Sequence, residues 1–198
     1  FASGKLNALI TTVMNFTEGP AIVSRFPVVA WETHDLPRCG RFADPRVLLG
    51  AQLETPWGPL QVYSTHTSGN SCQNKSVVDF IRSRRGSLPL VLMGDFNAAE
   101  NSIAMTTLVE EAGLIDTFRV ANPTASGFTV WQWVYAPRPT AFRRVDYLFL
   151  VPGKDFPGRV LSSRVVLNAP RRLQDGKVLW PSDHYGVLTE VEVFSPPA

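Results

Sequence analysis

The run Pro89-Leu90-Val91-Leu92-Met93 contains no polar side chain and passes directly into Gly94-Asp95-Phe96-Asn97-Ala98. An apolar run that does not alternate reads as a strand buried on both faces. Such a strand needs a covering layer above and below it, which points to sheets packed against other elements rather than to a bundle of helices. Its exit is polar. If the backbone is still extended there, Asp95 and Asn97 project from the same side.

Further strands are expected around it. Ala21-Ile22-Val23-Ser24 and Phe26 to Trp31 read as strands. So do Arg46 to Glu54 and Leu60 to Thr65, joined by the turn composition Thr55-Pro56-Trp57-Gly58-Pro59. Arg144 to Val151 and Gly186 to Phe194 complete the set. Two segments carry helical periodicity. Asn74 to Arg85 places Val77, Val78 and Ile81 on one face. Asn101 to Ala112 opens on an asparagine cap and stops at Gly113. Many short strands and few helices predict packed sheets flanked by helices, an α/β (α+β) arrangement.

The chain has 198 residues, no repeat and no low-complexity tract, so a single domain over residues 1–198 is expected. Nineteen Lys+Arg against seventeen Asp+Glu leave a net charge of +2, too small to indicate a polyanionic partner by itself. No apolar run is long enough to span a bilayer. The two cysteines, Cys39 and Cys72, are compatible with two free thiols or with one disulfide.

Four polar sites interrupt or end the apolar runs. Asp95 and Asn97 offer a carboxylate that can bind a hard cation or orient water, and a carboxamide that can contact a charged oxygen. In isolation, an Asp/Asn turn ending a strand is the favoured explanation. Pro181-Ser182-Asp183-His184 sets an acid and an imidazole side by side ahead of the last strand. His66 ends the strand that begins at Leu60. Asp146 lies inside an apolar strand and needs a partner if buried, with Arg143 and Arg144 the adjacent candidates for a structural salt bridge. Two of the three histidines thus sit at strand ends, alongside several carboxylates and one carboxamide. That set suits metal-assisted phosphate ester hydrolysis. No Gly-x-Ser-x-Gly elbow, Walker-type loop or Gly-x-Gly-x-x-Gly is present.

In order, the blocks Glu18-Gly19-Pro20-Ala21-Ile22-Val23-Ser24-Arg25-Phe26-Pro27, Ser64-Thr65-His66-Thr67, Met93-Gly94-Asp95-Phe96-Asn97-Ala98, Arg144-Val145-Asp146-Tyr147 and Ser182-Asp183-His184 resemble the endonuclease/exonuclease/phosphatase superfamily, with weaker agreement at Gly127-Phe128-Thr129. The resemblance implies a four-layered, deoxyribonuclease I-like sandwich of two mixed β-sheets flanked by helices. It implies that Asp95 activates the attacking water, that Asn97 binds phosphate or metal beside it, and that His66 protonates the leaving oxygen or stabilises the transition-state charge. His184 would contact the scissile phosphate and be oriented by Asp146. Asp183, with Asp95 and Asn97, would hold a divalent cation, magnesium first, with manganese or calcium as alternatives. Glu18 would pair with His66. Family members also carry a strand with a metal-site asparagine and a strand ending in a metal-binding glutamate ahead of the block at Glu18. Phe1 to Thr17 shows no match to them, so the expectation is a chain lacking its N-terminal strands, weakly active or inactive unless a separate polypeptide completes the fold.

The superfamily cleaves DNA, RNA, inositol phosphates and sphingomyelin. A nuclease is ranked first, on the basic residues Arg82, Arg84, Arg85, Arg143, Arg144, Arg171 and Arg172; those at a helix end also complement its dipole. A sphingomyelinase-like phospholipid phosphodiesterase comes second, with Trp131, Trp133 and Tyr135 as interfacial aromatics. A binding protein that kept the fold without activity is the third alternative. Bacterial sphingomyelinases have a disulfide at places similar to Cys39 and Cys72, which implies that bridge here and a secreted or periplasmic protein. The sequons at Asn15 and Asn74 would matter in a eukaryotic secretory protein.

Overall fold

The computed structural model describes residues 19–39, 45–86, 88–153 and 158–192. Its centre is a six-stranded mixed sheet in the order β1-β2-β3-β4-β6-β5. The strands are β1 (Val28–Leu36), β2 (Arg46–Thr55), β3 (Gly58–His66), β4 (Leu90–Asp95), β5 (Ile115–Asp116) and β6 (Asp146–Val151). β2 and β3 form the hairpin that the Thr55 to Pro59 composition predicts, with Thr55 opposite Gly58. β3 and β4 are parallel, so a crossover must join them. That crossover is helix α1 (Ser71–Arg84). β4 then pairs antiparallel with β6.

Leu90 and Leu92 are almost wholly buried, as the unbroken apolar run requires. On one face they pack with Val77, Val78 and Ile81 of α1 and with Met105 and Leu108 of helix α2 (Ile103–Ala112), together with Tyr63, Phe96, Tyr147 and Phe149. A smaller cluster of Ala51, Leu53 and Val62 covers the other face near β2 and β3. A second sheet pairs β7 (Arg159–Val166) with β10 (Gly186–Glu192). The short helix α3 (Thr117–Ala121) ties the sheets together, because the Thr117 hydroxyl bonds both the Leu148 carbonyl and the Thr189 hydroxyl. A two-residue hairpin, β8 (Arg171–Arg172) with β9 (Val178–Leu179), precedes β10.

Several local expectations are corrected. Ala21 to Ser24 is not a strand; the Ser24 hydroxyl accepts from the Phe26 amide in a local turn, and Pro27 then leads into β1, which runs on to Leu36. Ser102, not Asn101, caps α2, accepting from the Met105 amide at 3.3 Å. α1 starts at Ser71 under an Asn70 cap that accepts from Gln73 at 2.9 Å. Asn74 is buried and donates to the Ala104 carbonyl at 2.9 Å, which keeps that sequon away from solvent. Two arginines of the basic cluster at the end of α1, Arg82 and Arg84, have partners within the protein. Arg84 forks onto Glu32 and lies over Phe80, while Arg82 donates to the Glu111 carbonyl. β7 was not foreseen from the sequence.

Candidate active site

Strand register builds the site. Parallel pairing sets His66 opposite Asp95, and antiparallel pairing sets Asp95 opposite Asp146. The ends of β3 and β4 and the start of β6 therefore lie in one row at one edge of the sheet, at the carboxyl ends of its parallel strands, where ligands gather in open α/β sheets. His184 joins from the second sheet: Val130 bridges to both Arg143 and His184. The ends of β3 and β4, the start of β6 and the segment ahead of β10 thus deliver polar groups that lie far apart in sequence.

Asp95 is partly buried. Its Oδ1 accepts from the Asn97 amide at 2.7 Å, an Asx turn that puts Asn97 at φ 49, a left-handed backbone that asparagine tolerates. The Asn97 carboxamide nitrogen donates to the Thr67 carbonyl at 2.9 Å and lies 3.3 Å from Asp95 Oδ2. Burial raises the Asp95 pKa; the Asn97 amide opposes that, and the Asp146 charge adds to it. Two carboxylates facing each other across a strand pair are destabilising without a counter-charge.

His66 Nδ1 lies 2.7 Å from an Arg46 guanidinium nitrogen. Arginine only donates, so Nδ1 accepts and the neutral ring carries its proton on Nε2. That nitrogen is 3.4 Å from Asp95 Oδ2 and 3.0 Å from the Asn97 amide nitrogen, which contacts it without a hydrogen bond in this tautomer. His184 Nδ1 is 2.9 Å from Asp146 Oδ2. That hydrogen bond, with the charge of Asp146 added, raises the His184 pKa against the opposing effect of burial. His184 thus keeps Nε2 free while Asp146 fixes its ring, the arrangement by which carboxylates orient imidazoles.

Asp95, Asp146 and His184 each bring a ligand atom within 4.8 Å of the others. Two carboxylates plus an imidazole, with the carboxylates in mutual repulsion, fit a divalent cation. The expected metal set of Asp95, Asn97 and Asp183 overlaps this group at Asp95. Asp183 is exposed, accepts from the Ser182 hydroxyl at 3.2 Å and stands outside the group. Glu18 lies outside the described residues. Asp146 is not paired with a neighbouring arginine: Arg144 is buried against Asp116 and Glu100, at 2.6 Å and 2.8 Å.

Sequence reasoning missed Arg46, Thr129 and Gln132. The Thr129 hydroxyl accepts from the amides of Val145 and Asp146 at 3.2 Å and 3.3 Å, and its carbonyl accepts from Tyr185 at 2.8 Å. It joins the start of β6, which holds Asp146, to the segment ahead of β10, which holds His184. The buried Gln132 amide donates to the Asp183 carbonyl at 2.8 Å. Its position between two tryptophans was the available signal, since a polar residue alternating with aromatics points inward when they point out.

The model of the Endonuclease/Exonuclease/phosphatase family matches residues 15–184. Among solved structures, an endonuclease/exonuclease/phosphatase family protein from Bacteroides thetaiotaomicron is 19% identical with a TM-score of 0.67, over 86% of this chain and 64% of that one. A mannosyl-6-phosphatase from the same organism is 20% identical with a TM-score of 0.68, over 84% and 67%. The TDP2 of D. rerio, complexed with single strand DNA product, is 17% identical with a TM-score of 0.58, over 81% and 67%. At these identities the likeness establishes the α/β fold of mixed sheets with helices. The chain spans less than two thirds of the length of the first of these proteins. No curated protein matches it.

Proposed function

The chain belongs to the endonuclease/exonuclease/phosphatase family, and from that premise we propose that it is a divalent-metal-dependent phosphodiesterase that hydrolyses nucleic acid by in-line attack of an activated water. The observation that carries the reading is the convergence of His66, Asp95, Asn97, Asp146 and His184 at one edge of the sheet.

Each side chain has a role that its contacts allow. Asp95, its pKa raised by burial, is a base for the attacking water. His66 holds a proton on Nε2 for the leaving oxygen. His184, its pKa raised by its bond to Asp146, donates from Nε2 to the scissile phosphate. Asn97 presents its carboxamide to phosphate or cation. Asp95 and Asp146 would hold the cation, magnesium or manganese or calcium, with Asp183 and Asn97 supporting it and His184 beside it. Bound there, it would neutralise phosphate charge and lower the pKa of water.

The nucleic-acid substrate is supported by the relative that is complexed with single strand DNA product. A sphingomyelinase-like lipid phosphodiesterase is the second reading, favoured by the Cys39–Cys72 disulfide, which is formed. The same bridge supports a secreted or periplasmic location, where disulfides persist. The test pairs calorimetric titration of manganese with hydrolysis of plasmid DNA and bis-p-nitrophenyl phosphate. Asp95→Asn should lose both manganese binding and hydrolysis, and His184→Ala should lose hydrolysis. A folded chain that binds no manganese, and whose diester hydrolysis is indifferent to both substitutions, would sink the reading.

A further inference from the structure

The loop between Val130 and Arg143 is fixed at many points yet turns its large rings outward. The Gln132 carboxamide oxygen accepts from the Thr140 amide at 2.9 Å and from the Tyr185 hydroxyl, and its nitrogen donates to the Trp133 carbonyl at 2.8 Å. The Thr140 hydroxyl donates to the Trp131 carbonyl at 2.9 Å and accepts from the Trp133 amide at 2.8 Å. Trp180 donates its ring nitrogen to Ala136 at 2.7 Å. Against that rigid frame Trp131 is 56% exposed, Trp133 74%, Tyr135 70% and Phe142 58%. Trp131 and Phe142 meet edge to face at 6.3 Å, leaving ring faces uncovered.

The loop borders the candidate active site directly. Gln132, between the two tryptophans, is bonded to Asp183, and Val130 is bridged to His184. Its outward charge is one-sided: residues 128–145 contain no acidic residue, Arg138 is exposed and Arg143 half-buried, while Arg144 is turned inward onto Asp116 and Glu100. Beside it, Val134, Leu179 and Trp180 line a groove with Arg171 at its rim. Rigidly held aromatic faces cost little entropy to use, and with flanking arginines they match a ligand that alternates flat rings with negative charges.

We propose that this loop is a stacking platform for the unpaired bases of a single-stranded nucleic acid, with Arg138 and Arg171 on its phosphates, leading the strand into the site. The proposal rests on the nucleic-acid reading above and narrows its substrate class. A neutral bilayer would not call for the arginines, and a phosphosugar would not span several rings.

The test separates binding from turnover. Fluorescence anisotropy in EDTA measures the affinity of a labelled oligothymidylate, its duplex with oligoadenylate, and vesicles of phosphatidylcholine with phosphatidylglycerol. The single strand should bind more tightly than the duplex and more weakly as salt rises. Trp133→Ala should weaken it by about tenfold or more, Trp131→Ala likewise, and Trp133→Phe should retain most of it. Circular dichroism confirms that each variant is folded. Single-strand binding that Trp133→Ala leaves unchanged overturns the platform, as does binding to vesicles alone. DNA hydrolysis without tryptophan-dependent binding would keep the enzyme reading and remove the platform. Tryptophan-dependent binding without hydrolysis of any diester would keep the platform and remove the enzyme reading.

Discussion

Gly94 and Thr65 are partners in the parallel pairing of β3 and β4, and no side chain fits between them. A Cβ on Gly94 would overlap the Thr65 carbonyl oxygen, and Gly94 has φ 150, which L side chains rarely adopt. This close approach brings the next residue, Asp95, to 3.4 Å from His66. Gly94→Ala should therefore destabilise the fold by about 2–3 kcal/mol and lower hydrolysis further than the fraction unfolded explains. Urea unfolding followed by rate measurement under folding conditions checks both. A variant as stable and as active as the parent would show that the strands can part without disturbing the site.

Thr129 should separate a hydroxyl from a methyl. Its Oγ1 is the acceptor for the amides of Val145 and Asp146, and the residue is fully buried. Thr129→Val keeps the shape and leaves two buried donors unsatisfied, at a cost of about 1–3 kcal/mol. Thr129→Ser keeps the acceptor and should recover most of the stability. Hydrolysis should follow the same order, because the amide of Asp146 is one of the two donors. Equal loss in the valine and serine variants would assign the effect to packing of the methyl group instead.

The site was legible because its residues stand at the ends of apolar runs. Asp95 follows a run that reads as a buried strand, and His66 and His184 mark a strand end and a strand entrance. What sequence could not give was register, which depends on pairing between strands far apart in the chain; only pairing puts Asp95 between His66 and Asp146. β7 escaped notice because Arg159, Ser162, Ser163 and Arg164 interrupt its valines, and as one of only two described strands in its sheet it keeps an exposed, alternating pattern. The alternative reading of Asp146, a salt bridge with a nearby arginine, fails on packing that sequence does not show. Nearness to Asp146 in sequence offered a pair, but Arg144 lies ahead of β6, stacks over Tyr147 at 4.4 Å and reaches Asp116, while His184 takes the Asp146 carboxylate.

The disulfide should contribute to stability through the loop it closes. Cys39 follows β1 and Cys72 is the second residue of α1, a separation of 33 residues. Closing a loop of that length is worth about 3–4 kcal/mol in the chain-entropy model. The neighbour of Cys72, Gln73, bonds the Pro37 carbonyl at 3.1 Å and the Ser68 amide at 2.8 Å, so the same corner also holds the loop that leaves His66. The double variant Cys39→Ser, Cys72→Ser should unfold at clearly lower urea, and reductant should shift the parent protein to the same midpoint. A parent protein whose midpoint ignores reductant would mean that the bridge is absent or carries no stability.

Acid should loosen the entrance to β6 through Glu100. Its carboxylate takes a two-pronged bond from Arg119, both at 2.7 Å, and a third contact from the buried Arg144 at 2.8 Å. The hydrogen bond from Arg119 is the main cause that lowers its pKa, burial opposes it, and the charge of Arg144 adds to it. A lowered carboxyl pKa contributes stability that is complete above the ordinary carboxylate range. That contribution shrinks as pH falls through the range and is gone below the lowered value. Asp95 has the opposite sign, since its pKa is raised and protonation relieves its burial. The net acid slope therefore mixes the two, and Glu100→Gln isolates one of them. At neutral pH the substitution should cost about 1 kcal/mol or less, because the side chain is 37% exposed and solvent screens the pair. Across the carboxylate range the variant should lose less stability than the parent, so the two curves of unfolding free energy against pH should converge at acid pH. Parallel curves would show that Arg119 and Arg144 hold the region through packing rather than through the charge of Glu100.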